Sequence, residues 1–134
     1  MASILIVDDD PTVRMIAREM LRDGGHAIVE AADGDLALDV IEAVPLDVVV
    51  LDLLMPNKDG LEVIRHLKSR HPEVRILAIS SGGRIGAIAY LETARVFGAD
   101  EVMMKPLRLD AFAGAIDRLI ETPTARPSPW AQAS

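Results

Sequence analysis

The sequence contains no cysteine and very few aromatic residues. Without cysteine it has no disulfide, no thiol nucleophile and no cysteine-based zinc site. The 134 residues are 50% hydrophobic but only 3% aromatic, so the core must be built from aliphatic side chains. This length and composition are sufficient for one domain with a single core.

The chain also lacks a long apolar run and an excess of basic residues. No stretch reaches membrane-spanning length and the N-terminus has no signal-peptide pattern, so we expect a cytoplasmic protein without membrane contact. The formal net charge of −7 argues against direct nucleic-acid binding, which needs a basic face. A divalent cation or a basic protein surface suits this charge better.

One stretch stands out as the centre of the predicted fold. A largely β-branched apolar run, 48–51, ends in Asp52, and a turn containing Pro56 follows. This pattern is typical of a strand buried on both faces in a parallel sheet. Asp52 would then lie at the carboxyl end of the strand, where open α/β sheets bind ligands. Asp52 could equally cap a loop, so the other strand ends decide between the two interpretations.

The whole chain alternates between predicted strands and predicted helices. The strands are 3–7, 27–31, 47–51, 75–79 and 101–104, and the helices are 11–22, 34–44, 61–70, 85–97 and 110–120. This alternation predicts a doubly wound (βα)5 α/β fold with a parallel sheet and right-handed crossovers. The flavodoxin-like strand order 2-1-3-4-5 is the one we expect.

The predicted domain covers residues 1–121. Residues 122–134 contain three prolines and show no apolar periodicity. We expect a disordered proline-rich tail there, or the start of a linker.

Polar side chains follow four of the predicted strands. Asp8 and Asp9 follow the first strand, Asp52 the third, Ser80 the fourth and Lys105 the fifth. The strand order 2-1-3-4-5 places the three carboxylates side by side, with the serine and lysine on neighbouring strand ends. We therefore expect all five side chains at one edge of the sheet.

This combination of groups predicts a magnesium-dependent phosphoryl-transfer site. Adjacent carboxylates repel one another, and a hard cation relieves the repulsion. An oxygen-only cluster fits Mg²⁺ better than zinc. Lys105 supplies a positive charge for a phosphate oxygen and Ser80 a hydroxyl donor, with Asp52 as covalent acceptor.

Each motif by itself has an ordinary structural explanation. The acidic run 8–10 could simply favour the start of a helix, and Ser80 and Lys105 could be loop residues. The glycine-rich stretch 82–86 lacks the spacing of a phosphate-binding loop. We interpret the scattered histidines as surface residues without metal-ligand spacing: His26, His66 and His71. The phosphoryl-transfer hypothesis therefore depends on the combination of strand ends.

Residues 3 to about 121 resemble the receiver domain of the two-component response-regulator family, in its chemotaxis-type single-domain form. The matching motifs are Ile6-Val7-Asp8-Asp9-Asp10, Leu51-Asp52-Leu53-Leu54-Met55-Pro56, Ile79-Ser80-Ser81, Gly98-Ala99-Asp100 and Met104-Lys105-Pro106.

The resemblance implies a role for each matched residue. Asp52 would accept a phosphoryl group from a histidine kinase or phosphotransfer protein. Asp8, Asp9, Asp52 and the backbone carbonyl of Leu54 would bind Mg²⁺. Ser80 would be the switch hydroxyl and Lys105 would contact the phosphoryl group.

The resemblance also implies how such a protein signals. A phosphoacceptor of this kind is not an enzyme in the ordinary sense, although it assists its own phosphorylation and dephosphorylation. We expect a stand-alone switch that contacts a downstream protein through its fourth helix, fifth strand and fifth helix.

Two positions depart from the family pattern. Val102 stands where the family usually has Tyr or Phe, and Ser81 where it has Ala or Gly.

Two other functions need to be considered. A haloacid-dehalogenase-like phosphatase would need a second aspartate at the position of Leu54. A binding-only pseudo-receiver typically loses an acidic residue or the lysine, whereas this chain keeps them.

Overall fold

The computed structural model describes residues 2–55, 59–81 and 86–121. Its elements in chain order are β1 (Ser3–Val7), α1 (Pro11–Met20), β2 (Ala27–Ala31), α2 (Gly34–Ala43), β3 (Val48–Asp52), α3 (Gly60–Arg70), β4 (Arg75–Ser81), α4 (Ala87–Phe97), β5 (Glu101–Lys105) and α5 (Leu109–Glu121). The strands pair in parallel in the order β2-β1-β3-β4-β5. This confirms the predicted flavodoxin-like fold.

The buried central strands divide the core into two layers, as a parallel sheet covered on both faces requires. Leu5, Val49 and Ile76 belong to one layer, which packs under α2, α3 and α4. Ile4 and Val50 belong to the other, which packs against α1 and α5 around the buried Phe112. Asp52 ends a strand whose other four residues are fully buried, which fixes its position firmly.

Helix α1 starts as predicted but ends earlier. The Asp10 side chain caps it by accepting a hydrogen bond from the Thr12 backbone N–H. The predicted end at residue 22 is wrong because the chain tightens into a short 3₁₀ turn, Arg22–Gly24. Gly25 then takes a left-handed conformation with φ 71°, which a glycine adopts without strain.

The helical spacing of apolar residues in the sequence predicts that Ile16 in α1 and Leu36 in α2 face the core, but both side chains are exposed. Ile16 is 39% exposed because α1 packs against the core through the small, fully buried Ala17. Ile16, the residue before it, then points toward solvent. Leu36 is 49% exposed because the first turn of α2 contacts the core through Gly34 and Ala37. In both helices small residues, rather than the larger aliphatic ones, allow the close approach.

Other element ends shift by a residue or two. Helix α3 begins at Gly60 because Asp59 caps it, and β4 and β5 extend to Ser81 and Lys105, which pair in register. The predicted helix start at residue 85 lies outside the described residues, as does the tail 122–134. None of the described helices is long and apolar enough to cross a membrane.

Candidate functional site

Three carboxylates meet at the carboxyl edge of the sheet. Asp8 directly follows β1 and Asp52 ends the adjacent β3, which pairs with β1 in parallel register. Carboxylate oxygens of Asp8, Asp9 and Asp52 lie within 4.8 Å of one another. Asp8 and Asp52 are buried, whereas Asp9 is exposed. The predicted acidic cluster therefore forms, with one member open to solvent.

Backbone amides hold the two buried carboxylates in place. The Asp10 N–H donates to Asp8 Oδ1 at 2.9 Å, and the Leu54 N–H donates to Asp52 Oδ1 at 3.2 Å. Each carboxylate thus has one oxygen occupied by the chain that follows its strand. The other oxygen, Oδ2, is directed toward Lys105 in both cases.

Lys105 is the cation at the centre of the cluster. Its Nζ lies 2.8 Å from Asp8 Oδ2 and 3.3 Å from Asp52 Oδ2. The contact with Asp8 is an ion pair of opposite charges at short distance. It is not a well-aligned hydrogen bond, since Asp8 Oδ2 has no hydrogen-bond partner of good geometry among the described residues. Burial would lower the pKa of Lys105, but the contact with Asp8 and the charges of Asp52 and Asp8 outweigh it and raise the pKa. The lysine is therefore fully charged at neutral pH.

Asp52 resists ionisation more than an ordinary aspartate. Burial, and then the nearby charge of Asp8, raise its pKa to about 6, although Lys105 and the Leu54 N–H act in the opposite direction. One lysine thus fails to offset the cost of burying the Asp52 carboxylate and placing it beside Asp8. A second positive charge would lower this cost.

The residues present fit a magnesium ion. The potential ligands are oxygens only, Asp8 Oδ2 has no well-aligned donor in the part of the chain that the structure describes, and a crevice of about 200 Å³ lies beside them. Asp9, Asp10, Asp52, Leu54, Ser81 and Lys105 line this crevice. Oxygen ligands with space for several waters are the environment that Mg²⁺ prefers.

The two serines at the end of β4 lie in different surroundings. Ser80 is fully buried, and its Oγ has no hydrogen-bond partner among the described residues. Successive strand residues face opposite sides of a sheet, and it is Ser81 that lines the crevice with Asp52. In the sequence, Ser81 stands out only because the family usually has Ala or Gly at this position. Strand alternation was the signal that could have identified it as a crevice residue.

Val102 occupies the β5 position where an aromatic residue was expected from the family pattern. It pairs with Ala78 in register and packs, partly buried, against the core layer under α4. By strand alternation Ser80 lies on the same face as Ala78. Val102 is therefore on the side of the sheet where the buried serine lies, with a short and stiff side chain.

The prediction that the histidines are scattered and have no metal-ligand arrangement is wrong for two of them, although both lie at the surface. His66 Nε2 and His71 Nε2 lie 2.9 and 2.7 Å from the same atom, Glu42 Oε2. These contacts, first with His66 and then with His71, lower the pKa of Glu42 to about 2. His26 is separate from them and accepts a hydrogen bond from the Ala2 N–H.

Comparison with known proteins identifies the relatives of this chain. The response regulator MprA of Mycolicibacterium vanbaalenii is 37% identical over 122 residues, which are 90% of this chain and 51% of that protein. The crystal structure of the receiver domain of NtrX from Brucella abortus is 32% identical, with a TM-score of 0.82 over 89% of this chain and 98% of that one. A longer NtrX structure in complex with ADP gives a TM-score of 0.83 and 32% identity, covering 90% of this chain and 27% of that one.

The family match extends over nearly all of the described structure. The chain spans about half the length of the curated relatives it matches. The family model for the response regulator receiver domain matches residues 4–117, which include every residue of the acidic crevice. The chain therefore belongs to the response regulator receiver domain family.

Proposed function

We propose that Asp52 accepts a phosphoryl group from a histidine kinase or a histidine phosphotransfer protein. The observation that carries this proposal is the convergence of Asp8, Asp9 and Asp52 around Lys105 at one edge of the sheet. Asp52 lines a crevice that is open to a phosphoryl donor. Receiver domains of two-component systems are phosphoacceptor signalling domains, and this family interacts with histidine kinases and downstream targets.

We propose that Mg²⁺ is held by Asp8, Asp9, Asp52 and the backbone carbonyl of Leu54. Receiver domains generally bind this ion at their acidic pocket, and the oxygen-only set described above supports the assignment. When bound, the ion supplies positive charge to the carboxylates and to the phosphoryl oxygens. The Leu54 N–H keeps one Asp52 oxygen oriented during the reaction.

Phosphoryl transfer at this site requires little chemistry from the protein beyond positioning and charge. An oxygen of ionised Asp52 attacks phosphorus, a P–O bond forms, and the P–N bond to the donor histidine breaks. The bond's electron pair stays on the imidazole nitrogen. Lys105, already 3.3 Å from Asp52, can turn toward a phosphoryl oxygen. The phosphorylated chain thus gains negative charge at the carboxyl edge of the sheet.

On this proposal, the downstream protein binds the face formed by α4, β5 and α5. A phosphoryl oxygen would draw the buried Ser80 hydroxyl into a charge-assisted hydrogen bond. Several large apolar side chains of these three elements are exposed, which supports a protein target: Ile88, Val96, Met104 and Leu109. The sequence predicts that the backbone around residues 80–84 and the start of the fourth helix carries this change, and residues 82–85 lie outside the described residues.

The test is incubation of the chain with acetyl phosphate and Mg²⁺, followed by intact mass spectrometry. We expect the mass of one added phosphoryl group, and no addition in Asp52→Asn, which keeps the shape and removes the nucleophile. Asp8→Ala should weaken labelling through loss of the metal. Asp47→Asn, at the opposite edge of the sheet, is the matched control and should label normally. Undiminished labelling of Asp52→Asn would refute the assignment.

A further inference from the structure

Two histidine rings and one carboxylate meet on the surface between α2 and α3. Both Nε2 atoms contact Glu42 Oε2, and ligand atoms of Glu42, His66 and His71 lie within 4.8 Å of one another. The side chains of His66 and His71 are 26% and 29% exposed and are partly held by their surroundings, whereas Glu42 is 44% exposed. We propose that this His–Glu cluster, Glu42, His66 and His71, is a binding site for Zn²⁺, separate from the acidic crevice.

The ligand set is one that zinc prefers. Zinc binds imidazole nitrogens and carboxylate oxygens, and sites with two histidines, one glutamate and a water in the fourth position are well known. Imidazole is a poor ligand for Mg²⁺ and Ca²⁺, which favour oxygen. The two metal sites of this chain would therefore differ in selectivity, with nitrogen ligands in one and only oxygen ligands in the other.

The geometry requires a small adjustment to admit the ion. Tetrahedral bonds of roughly 2.0–2.2 Å place ligand atoms about 3.3 Å apart. The present contacts between Nε2 and Oε2 are 2.9 Å for His66 and 2.7 Å for His71. They must open by about half an ångström, which side-chain rotation provides. Each ring then carries its proton on Nδ1 and presents the Nε2 lone pair to the metal.

The end of helix α3 creates this arrangement. On a continuous helix, residues five positions apart point roughly 140° away from each other. The helix ends at Arg70, and His71 leaves it with φ −140° and ψ 61°, while its N–H still donates to the Leu67 carbonyl at 2.7 Å. This turn brings the ring centroids of His66 and His71 to 6.1 Å. The cluster is thus held by backbone structure on the α3 side.

There is space beside the cluster for the fourth ligand. A groove of about 360 Å³ borders it, lined partly by Glu42, His71 and Glu73. Water can therefore reach the open position. The acidic Glu73 in the groove favours a cation, whereas Arg70, whose charge acts on Glu42, opposes one.

The cluster is remote from the phosphoacceptor. Glu42 and His71 come shortly before the starts of β3 and β4, whereas Asp52 is at the other end of β3. A five-residue strand spans roughly 16 Å. Zinc binding here can therefore be tested without reference to phosphorylation, and failure of one proposal leaves the other intact.

The first experiment measures Zn²⁺ affinity of the full chain by competition with a chromophoric chelator, with Mg²⁺ at saturation to occupy the acidic crevice. We expect one Zn²⁺ per chain. His66→Gln, His71→Gln and Glu42→Gln should each weaken binding by about tenfold or more, since each removes a ligand. His26→Gln is the matched control and should stay within about twofold of the parent affinity.

A second measurement needs no substitution at the cluster. One equivalent of Zn²⁺ should shift or broaden the ring resonances of His66 and His71 in the unmodified chain, and leave those of His26 unchanged. Zinc affinity equal to that of the parent chain in all three cluster variants would overturn the proposal. So would loss of zinc binding in Asp9→Asn alone, which would place the ion in the acidic crevice.

Discussion

Asp52 combines two properties that conflict in a folded protein, because it is buried and it must ionise to act as a nucleophile. Burial and the neighbouring Asp8 raise its pKa to about 6. The opposing contacts from Lys105 and the Leu54 N–H reduce this cost without removing it. The same side chain that we propose as phosphoacceptor is therefore a source of instability in the metal-free chain.

This instability should depend on pH. The folded pKa of Asp52 lies above the ordinary value of 3.8, so the folded chain binds the proton more tightly. The resulting stabilisation is complete below about pH 4 and is lost as pH rises toward 6. At pH 7.5 without Mg²⁺, Asp52→Asn should therefore be more stable than the parent by an amount on the order of 2 kcal/mol. At pH 4 most of this difference should vanish.

Urea unfolding at pH 4 and pH 7.5 measures this effect. Asp47→Asn serves as the control, since its parent side chain accepts a hydrogen bond from the Ser3 N–H at the far edge of the sheet. A stability difference between Asp52→Asn and the parent that is equal at the two pH values would contradict the explanation.

The two adjacent serines, Ser80 and Ser81, should have different functions. Ser80 has a buried hydroxyl without a partner among the described residues, so Ser80→Ala should leave stability unchanged or raise it by up to about 1 kcal/mol. Beryllofluoride, an analogue of the phosphoryl group, should still bind this variant. The changes that it induces in the amide chemical shifts of α4 should be smaller than in the parent chain. Ser81→Ala should change the crevice and keep those shifts. The opposite result, recorded by NMR, would assign the switch hydroxyl to Ser81.

At the scale of the elements, the start of α3 lies close against the end of β3, beside the site. The N–H of Gly60 donates to the Leu53 carbonyl at 3.1 Å, which ties the start of α3 to the residue after Asp52. A Cβ at Gly60 would lie 2.7 Å from both Asp52 O and Leu53 Cα. These are backbone atoms, so the clash could be relieved only by moving the helix or the strand end.

Gly60→Ala should therefore destabilise the chain by about 1–3 kcal/mol and slow phosphorylation of Asp52. Gly114→Ala in α5 is the matched control. Its Cβ would meet only the Arg118 side chain at 3.5 Å, and alanine in a helix should stabilise by about 0.5–1 kcal/mol. Thermal melts and acetyl phosphate labelling check both variants. Equal effects of the two substitutions would mean that the β3–α3 junction is looser than described.

At the scale of the whole molecule, sequence patterns predicted the sheet order because strands and helices alternate, and they predicted the acidic cluster because its residues lie at strand ends. Asp8, Asp52 and Lys105 each follow or end an apolar run, and parallel pairing brings such positions together. Sequence patterns gave wrong predictions where tertiary packing determines the exposure of a side chain or its contacts. The exposure of Ile16 follows from the close approach at its small neighbour, and His71 reaches His66 only because α3 ends between them.

The charge balance of the acidic crevice should also make the stability of the whole chain depend on magnesium. The three carboxylates, offset only by Lys105 among the groups described in contact with them, gain a counter-ion when Mg²⁺ binds. At roughly tenfold above its dissociation constant, the ion should stabilise the fold by about 1.4 kcal/mol and raise Tm by a few degrees. Asp9→Asn should reduce this gain, while His66→Gln, at the other edge of the sheet, should keep it. Calorimetry with and without Mg²⁺ measures the gain, and a Tm indifferent to Mg²⁺ in the parent chain would show that the crevice does not bind the ion.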